Sequence, residues 1–266
     1  MRLLMCLPKH FDVTYEINAW MRIANGPDPG KARAQWSALY TILREEVGAD
    51  VSLVAPQPGL PDMVFTANAG LTKGNWFVPS RFRPVERQGE VAFFIQWMLE
   101  NGFHLKPLTE EIAGAFEGEG DALFYGDLLL TGYGQRSDKS ACLGVGELLG
   151  VPVLPLGLTD GRWYHLDTCL IPVSPELLAY YPPAFDAEAN VAIEALPGEK
   201  IILTESDALR FGGNAVVAGQ QIVMNSGCDA LAGALRTRGY TVHETDLSEF
   251  IKSGGSAKCL VLVLEH

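Results

Sequence analysis

The chain is predicted to be an α/β protein of propeller type: a single domain, residues 1–266, in which five hairpin-helix-strand modules surround an axis. Three observations predict it. Five segments carry helical periodicity at intervals of about fifty residues. A short strand candidate follows each one, and a pair of apolar runs precedes four of them. A repeat of that period is what radially stacked modules produce. An open α/β sheet would take the same elements but offers no reason for the regular interval.

In chain order, the first helix is expected over 31–47 ("KARAQWSALYTILREEV"), followed by the strand "VSLVAP". The hairpin "AGLTKGNWFVPS", a helix over 87–101 and the strand "FHLKPL" form the next module. Then come "ALFYGDLLLTGYG", a helix over 137–149 and "VPVLPL"; "YHLDTCLIPVS", a helix over 186–195 and "IILTES"; and "AVVAGQQIVMNS", a helix over 228–238 and "TVHETD". Three of the four hairpins carry a glycine-containing turn dipeptide at their centre (KG, GD, GQ), which supplies the positive φ that tight hairpins need. The first helix has only "RLLMCL" before it, and "CLVLVLE" at the other end of the chain is left over. Pairing these two runs completes the remaining module and closes the ring.

Composition bounds the function. Hydrophobic residues make up 48% of the chain, enough to fill a sizeable core. A net charge of -12 speaks against nucleic acid as a partner, since no basic face is present to neutralise phosphates. No apolar run approaches the ~20 residues of a membrane span, and the opening "MRLLMCLPKHFD" is interrupted too early for a signal peptide. The five cysteines (6, 142, 169, 228, 259) are odd in number and lack a CxxC pair. They are expected to be free thiols in a reducing, cytoplasmic setting rather than a disulfide or zinc framework. A homo-oligomer is left open.

Residues at the same phase of each module converge on the axis of such a ring. Just before or at the start of the inner strands these are Asn68, Glu117, His165, Asn214 and Cys259, at intervals of 49, 48, 49 and 45 residues. A cysteine, a histidine and a carboxylate at one point supply a thiol nucleophile, a general acid/base and an orienting or charge-holding group. Read singly, each has an ordinary explanation: Cys259 beside "LVLVL" as a packed thiol, His165 as a structural histidine, and the acids as turn residues. Common phase is what separates His165 from His10, His104, His243 and His266. Cys6, Cys142, Cys169 and Cys228 are expected to pack in the core.

The motifs "PDMVFTAN" (61–68), "FEGEGD" (116–121), "YHLDT" (164–168) and "GGSAKC" (254–259) resemble, in order and across nearly the whole chain, those of the guanidino-modifying superfamily of arginine deiminases, dimethylargininases, dihydrolases and amidinotransferases. "HFDVTYEINAWM" resembles most closely the single-domain bacterial dimethylargininase-like and arginine dihydrolase branch. The superfamily's five-bladed β/α propeller agrees with the repeat. The resemblance implies Cys259 as nucleophile, His165 as acid/base and Glu117 as a carboxylate gripping the guanidinium, with Glu119 the alternative. Asp167 would be a second guanidinium carboxylate, and Asp62 and Asn68 would line the substrate. Arg87 and Arg136 would hold the α-carboxylate, although either could equally be a surface charge. Asn18, Phe65 and Asn214 would border the pocket.

The expected substrate is therefore arginine or an N-methylated arginine, with no metal or organic cofactor. The guanidinium carbon is a poor electrophile, and a thiolate is the strong nucleophile it calls for. The resemblance implies that Asn68, where deiminases carry aspartate, marks a dihydrolase that yields ornithine, because an amide can both donate and accept towards a neutral ureido group. Citrulline-forming deiminase and dimethylarginine hydrolysis are the alternatives. Amidino transfer to an amine, or a non-catalytic binding role, comes behind them.

Overall fold

The computed structural model describes residues 1–265, so His266 lies outside the described residues. Its fifteen strands form five three-stranded sheets. β1 (Arg2–Cys6), β2 (Asp50–Val54) and, from the other end of the chain, β15 (Leu262–Val263) make the closing sheet. The other four are β3 (Gly70–Lys73), β4 (Trp76–Pro79) and β5 (His104–Leu105); β6 (Ala122–Tyr125), β7 (Leu128–Tyr133) and β8 (Val153–Gly157); β9 (Leu170–Ser174), β10 (Leu177–Tyr180) and β11 (Glu199–Ile202); and β12 (Val216–Ala218), β13 (Gln221–Asn225) and β14 (Thr241–Thr245).

Each sheet has one antiparallel and one parallel pairing. Leu3 faces Val263 antiparallel and Val51 parallel, and Val223 faces Val216 and His243 in the same two senses. The parallel pairing requires a crossover, which a helix supplies. These are α1 (Pro29–Thr41), α2 (Val85–Gln88) with α3 (Val91–Glu100), α4 (Lys139–Leu149), α5 (Ala187–Ala195) and α7 (Asp229–Arg236), whereas α6 (Glu205–Leu209) lies between β11 and β12. A further turn, α8 (Ser248–Ile251), lies on the way back to β15. Local chemistry sets the helix ends. Asp28 caps α1 by accepting from Lys31 N with Pro29 at the first position, Asp186 caps α5, and Gly150 ends α4 in the left-handed conformation.

β1 is buried on both faces. Leu3 and Met5 pack with Trp36, Leu39 and Phe250, while Leu4 and Cys6 pack with Phe77, Phe94 and Met98. Each fully buried side chain of this size contributes about 1.5–3 kcal/mol, so closure of the ring by the two chain ends is stabilised by core packing as well as by the ladder. Cys6, Cys142, Cys169 and Cys228 are all buried free thiols, as expected.

Three expectations are corrected. The helix over 87–101 is two helices broken near Gly89, with Glu90 N returning to Arg87 O. "YHLDTCLIPVS" supplies one hairpin arm instead of two: residues 164–169 form a turn whose Leu166 N is taken by Asp121 Oδ1, and β10 is the second arm. The C-terminal strand begins at Leu262 and not at Cys259, because Ala257–Leu260 coil into a turn in which Val261 N bonds Lys258 O.

Candidate active site

The turns that precede the five inner strands are joined by hydrogen bonds in a closed circuit. Asn68 Nδ2 donates to Glu117 O (3.2 Å), Leu166 N to Asp121 Oδ1 (3.1 Å), and Asn214 Nδ2 to Asp167 O (2.9 Å). Cys259 N donates to Asn214 Oδ1 (3.1 Å), and Ala67 N returns to Cys259 O (3.2 Å). All five residues of the repeat phase are therefore at the centre of the ring.

Cys259 is 2% exposed. Its Sγ receives Asn214 Nδ2 at 3.0 Å and donates to Asp167 Oδ2 at 3.3 Å. Burial first, and the Asp167 carboxylate second, push the thiol well above its ordinary range. Asp167 is itself raised to about 7 by burial, against the opposing pull of Lys258 and the bonds from Cys259 and Asn214. Its Oδ1 is buried without a partner. A buried acceptor left open beside a nucleophile suits a cationic N–H donor from a ligand.

His165 Nε2 lies 2.8 Å from Glu117 Oε2 and 3.9 Å from Asp121 Oδ2. Burial would raise Glu117, but Arg136, followed by His165, overcomes it and holds the carboxyl down at about 2. An ionised carboxylate only accepts, so Nε2 is the nitrogen that donates to it, and Nδ1 faces Asn68 Nδ2 at 3.5 Å. Glu117 Oε1 accepts from Arg83 N at 3.1 Å, its Oε2 from Arg136 Nη1 at 2.9 Å as well as from His165, and it stands behind His165 and outside the cavity lining. The alternative, Glu119, accepts from Lys258 Nζ at 2.6 Å and Val263 N at 3.0 Å, fastening the Cys259 turn to β15.

A narrow cavity in front of Cys259 is bordered by Asp62, Phe65, Asn68, Arg87, Arg136 and Tyr164. Arg87 is 3% exposed and directs Nε and Nη2 at Glu90 (both 2.9 Å), Nη2 also at Asp62 O (3.1 Å), and Nη1 at Asn68 Oδ1 (2.9 Å). Arg136 lies over the Tyr164 ring, 4.8 Å from its centroid. Asp62 Oδ2 accepts from Tyr15 at 2.9 Å, and its Oδ1 is buried without a partner. A segment ahead of α1 roofs the cavity: Asn18 Nδ2 donates to Ser253 O (2.9 Å), and Ile17 O accepts from Arg136 Nη2 (3.0 Å). A larger cavity opens further along the inner strands between Leu123, Ile171, Val217 and Val263, but its walls are mainly apolar.

Every residue expected at the site is at or directly behind it. Tyr15, Tyr164, Glu90, Asp121, Ser137 and Lys258 were not foreseen. Tyr164 and Lys258 adjoin foreseen residues and could have been found by adjacency, whereas Tyr15 and Glu90 carry no sequence signal. The glycines before Cys259 answer to packing: Gly254 has φ 82°, and a Cβ on Gly255 would sit 2.4 Å from the Phe65 ring. His243 pairs with Glu46, away from the centre.

Residues 13–265 match the profile of a family described as N,N-dimethylarginine dimethylhydrolase, eukaryotic. The chain is 48% identical over 267 residues to the bifunctional arginine dihydrolase/ornithine cyclodeaminase ArgZ of Synechocystis sp., covering 98% of this chain and 37% of that protein. It therefore spans little more than a third of that relative's length. To the N(G),N(G)-dimethylarginine dimethylaminohydrolase of Mycobacterium tuberculosis it is 41% identical over 262 residues, covering 98% and 85%. The crystal structure of the N-terminal domain of ArgZ, in an asparagine-to-serine form covalently bound to a reaction intermediate, superposes with a TM-score of 0.94 at 45% identity over 99% of this chain and 97% of that one. With the profile spanning nearly all of its residues and the axial constellation in place, the chain belongs to the dimethylarginine dimethylaminohydrolase family.

Proposed function

We propose that this chain is a cysteine-dependent arginine dihydrolase, acting as one catalytic domain over residues 1–266 in a reducing, cytoplasmic setting. It would convert L-arginine and two waters into L-ornithine, carbon dioxide and two ammonia. The observation that carries the reading is Asn68, a neutral amide whose Oδ1 is taken by Arg87 and whose Nδ2 points towards Glu117 O and, at 3.5 Å, His165 Nδ1. A neutral donor suits retention of a neutral ureido group. The dihydrolase activity named for ArgZ, with 48% identity, supports the same reading.

In this scheme the α-carboxylate meets Arg87 and Arg136, and the guanidinium lies against Asp167 Oδ1. The arriving cation favours loss of the Cys259 proton to His165 Nδ1. Sulfur adds to the guanidino carbon, and ammonia leaves with the proton from His165. Water deprotonated by His165 then attacks the S-alkylthiouronium and expels the thiolate, giving citrulline. Held in place, the ureido carbon undergoes the same sequence again. The second ammonia departs, water releases the carbamate from sulfur, and the carbamate loses carbon dioxide to leave ornithine. General acid/base help of this kind contributes roughly 10²–10⁴-fold per step.

The test is to incubate the protein separately with arginine, citrulline and dimethylarginine, with Cys259→Ala as control, and to count ammonia and amine released. Two ammonia with ornithine from arginine support the dihydrolase, and one ammonia with citrulline overturns it in favour of a deiminase. The relationship to the mycobacterial dimethylaminohydrolase favours a second reading, hydrolysis of a methylated arginine. Release of a methylamine from dimethylarginine alone would establish that one. The open Oδ1 of Asp167 weighs against it, since methylation removes N–H groups that this oxygen would accept.

A further inference from the structure

Glu90 is fully buried, stands outside the cavity, and touches none of the groups assigned to the chemistry except Arg87. It accepts from Arg87 along the Nε/Nη2 edge with both oxygens at 2.9 Å, the two-pronged geometry that fixes a guanidinium in its plane. With that edge occupied, Nη1 projects to Asn68 Oδ1 at 2.9 Å. An amide whose oxygen is claimed on one side presents its NH2 on the other, and here that side faces Glu117 O at 3.2 Å and His165 Nδ1 at 3.5 Å. We infer that Glu90 is a positioning residue for the reaction: by gripping Arg87 it fixes which way round the Asn68 amide sits, so that an N–H group and not an oxygen meets Nδ1 of His165.

The consequence is chemical. A hydrogen on Nδ1 would point at the amide hydrogens, so the oriented amide favours Nδ1 as a lone pair, ready to accept a proton. Turned over, the amide would offer oxygen to Nδ1 and hold the imidazolium, as an aspartate at this position would more strongly. The remaining groups around the ring are Glu117 and Asp121 on Nε2, Arg136 behind Glu117, and Tyr164, whose ring is tilted 50° against the imidazole with centroids 4.6 Å apart, and none of these contacts involves Glu90. The inference rests on the dihydrolase reading only for the product expected to change.

The experiment follows the His165 ring by ¹H–¹⁵N spectroscopy in the full chain, wild type against Glu90→Gln, with Asn68→Asp as the reference for an acceptor at Nδ1. The expected result is that the His165 ring signals in Glu90→Gln move from those of the wild type in the direction of Asn68→Asp. The rate of ammonia release from arginine should fall roughly 10- to 100-fold, what loss of a hydrogen bond to a charged group commonly costs, with citrulline accumulating. Should Glu90→Gln not fold, Glu90→Asp keeps the buried charge and shortens only its reach, and the same shift is expected. Unchanged His165 ring signals and an unchanged product ratio, with lowered thermal stability alone, would overturn the inference. A wild type that stops at citrulline would sink the dihydrolase reading, while the His165 ring signals still decide the role of Glu90.

Discussion

Cys259 Sγ donates a hydrogen bond to Asp167 Oδ2 at 3.3 Å, and both side chains are buried to within 2% of full enclosure. A nucleophile placed against a carboxylate is held as the thiol, since burial and Asp167 both oppose the thiolate. In the proposed reaction, the cation that relieves this is the guanidinium of arginine. Alkylation at neutral pH is therefore expected to be slow with neutral iodoacetamide and much faster with the cationic 2-chloroacetamidine. Asp167→Asn should raise the iodoacetamide rate, roughly tenfold for each unit by which the thiol falls, and abolish turnover. Equal rates for the two reagents would contradict the arrangement.

Asp167 predicts a pH dependence with a definite sign. Burial raises its carboxyl from the ordinary range to about 7, so below that pH it is protonated and cannot hold a cation. kcat/KM for arginine is expected to fall on the acid side of about 7, read from initial rates across pH 5 to 9. For folding the sign is opposite. The folded state binds this proton more tightly than the unfolded chain, so its contribution is fully present below about 4 and lost as pH rises through about 7. Asp167→Asn should accordingly raise Tm by a few degrees at pH 8 and by little at pH 5, in a chain where about 1 kcal/mol moves Tm by roughly 2–4 °C. Thermal melts of both proteins at the two pH values decide it.

The period of about fifty residues made the ring legible, because one residue of every module must occupy the same place relative to the axis. Asn68, Glu117, His165, Asn214 and Cys259 all arrive there through that constraint. The orientation of a side chain is not periodic, so the period could not show that Glu117 Oε2 meets His165 and Arg136 while its Oε1 meets Arg83 N. Tyr15 and Glu90 were invisible for a related reason. Each acts through one contact made at long range or after a helix break, Tyr15 to Asp62 across 47 positions and Glu90 to Arg87 over the interruption near Gly89, and neither contact leaves a pattern in composition or spacing.

Glu117→Gln separates orientation from charge. The amide fills the same space but carries one oxygen, so it cannot accept from Arg83 N at one end while accepting from His165 Nε2 and Arg136 Nη1 at the other, as the carboxylate does at 3.1, 2.8 and 2.9 Å, and it brings Arg136 no charge. kcat should drop by roughly 10²–10⁴-fold, the usual contribution of a positioned acid/base. Arg136 is left buried without its counter-charge, and breaking such a pair from one side commonly costs about 3–5 kcal/mol. Denaturant titration above pH 5 should show that loss. It should shrink towards pH 2, because Glu117's depressed carboxyl contributes stability present above its unfolded value near 4.5 and lost as pH falls to about 2. A loss of equal size at pH 2.5 and pH 7 would contradict the ion-pair account.

Gly120→Ala tests whether the contact between Asn68 and His165 matters without altering either residue. A Cβ at position 120 would lie 2.2 Å from Asn68 Nδ2 and 3.2 Å from the Cγ and Nδ1 atoms of His165. Neither side chain can yield easily, because Asn68 is anchored by Arg87 and Glu117 O, and His165 by Glu117 Oε2. The added methyl must therefore displace the amide, the ring or both by a large fraction of an ångström. A shift of about 1 Å in a reacting constellation is enough to cost roughly 10²-fold in rate, whereas the atoms nearest the added methyl belong to Asn68 and His165 and not to the arginines proposed to hold the α-carboxylate. kcat for ammonia release should fall by about that factor with KM for arginine changed little, read from steady-state kinetics. Because Asn68 is the group pressed hardest, citrulline should also leave before the second attack more often than in the wild type. An alanine variant with wild-type kcat and a wild-type ornithine yield would mean that this contact carries none of the selectivity assigned to Asn68.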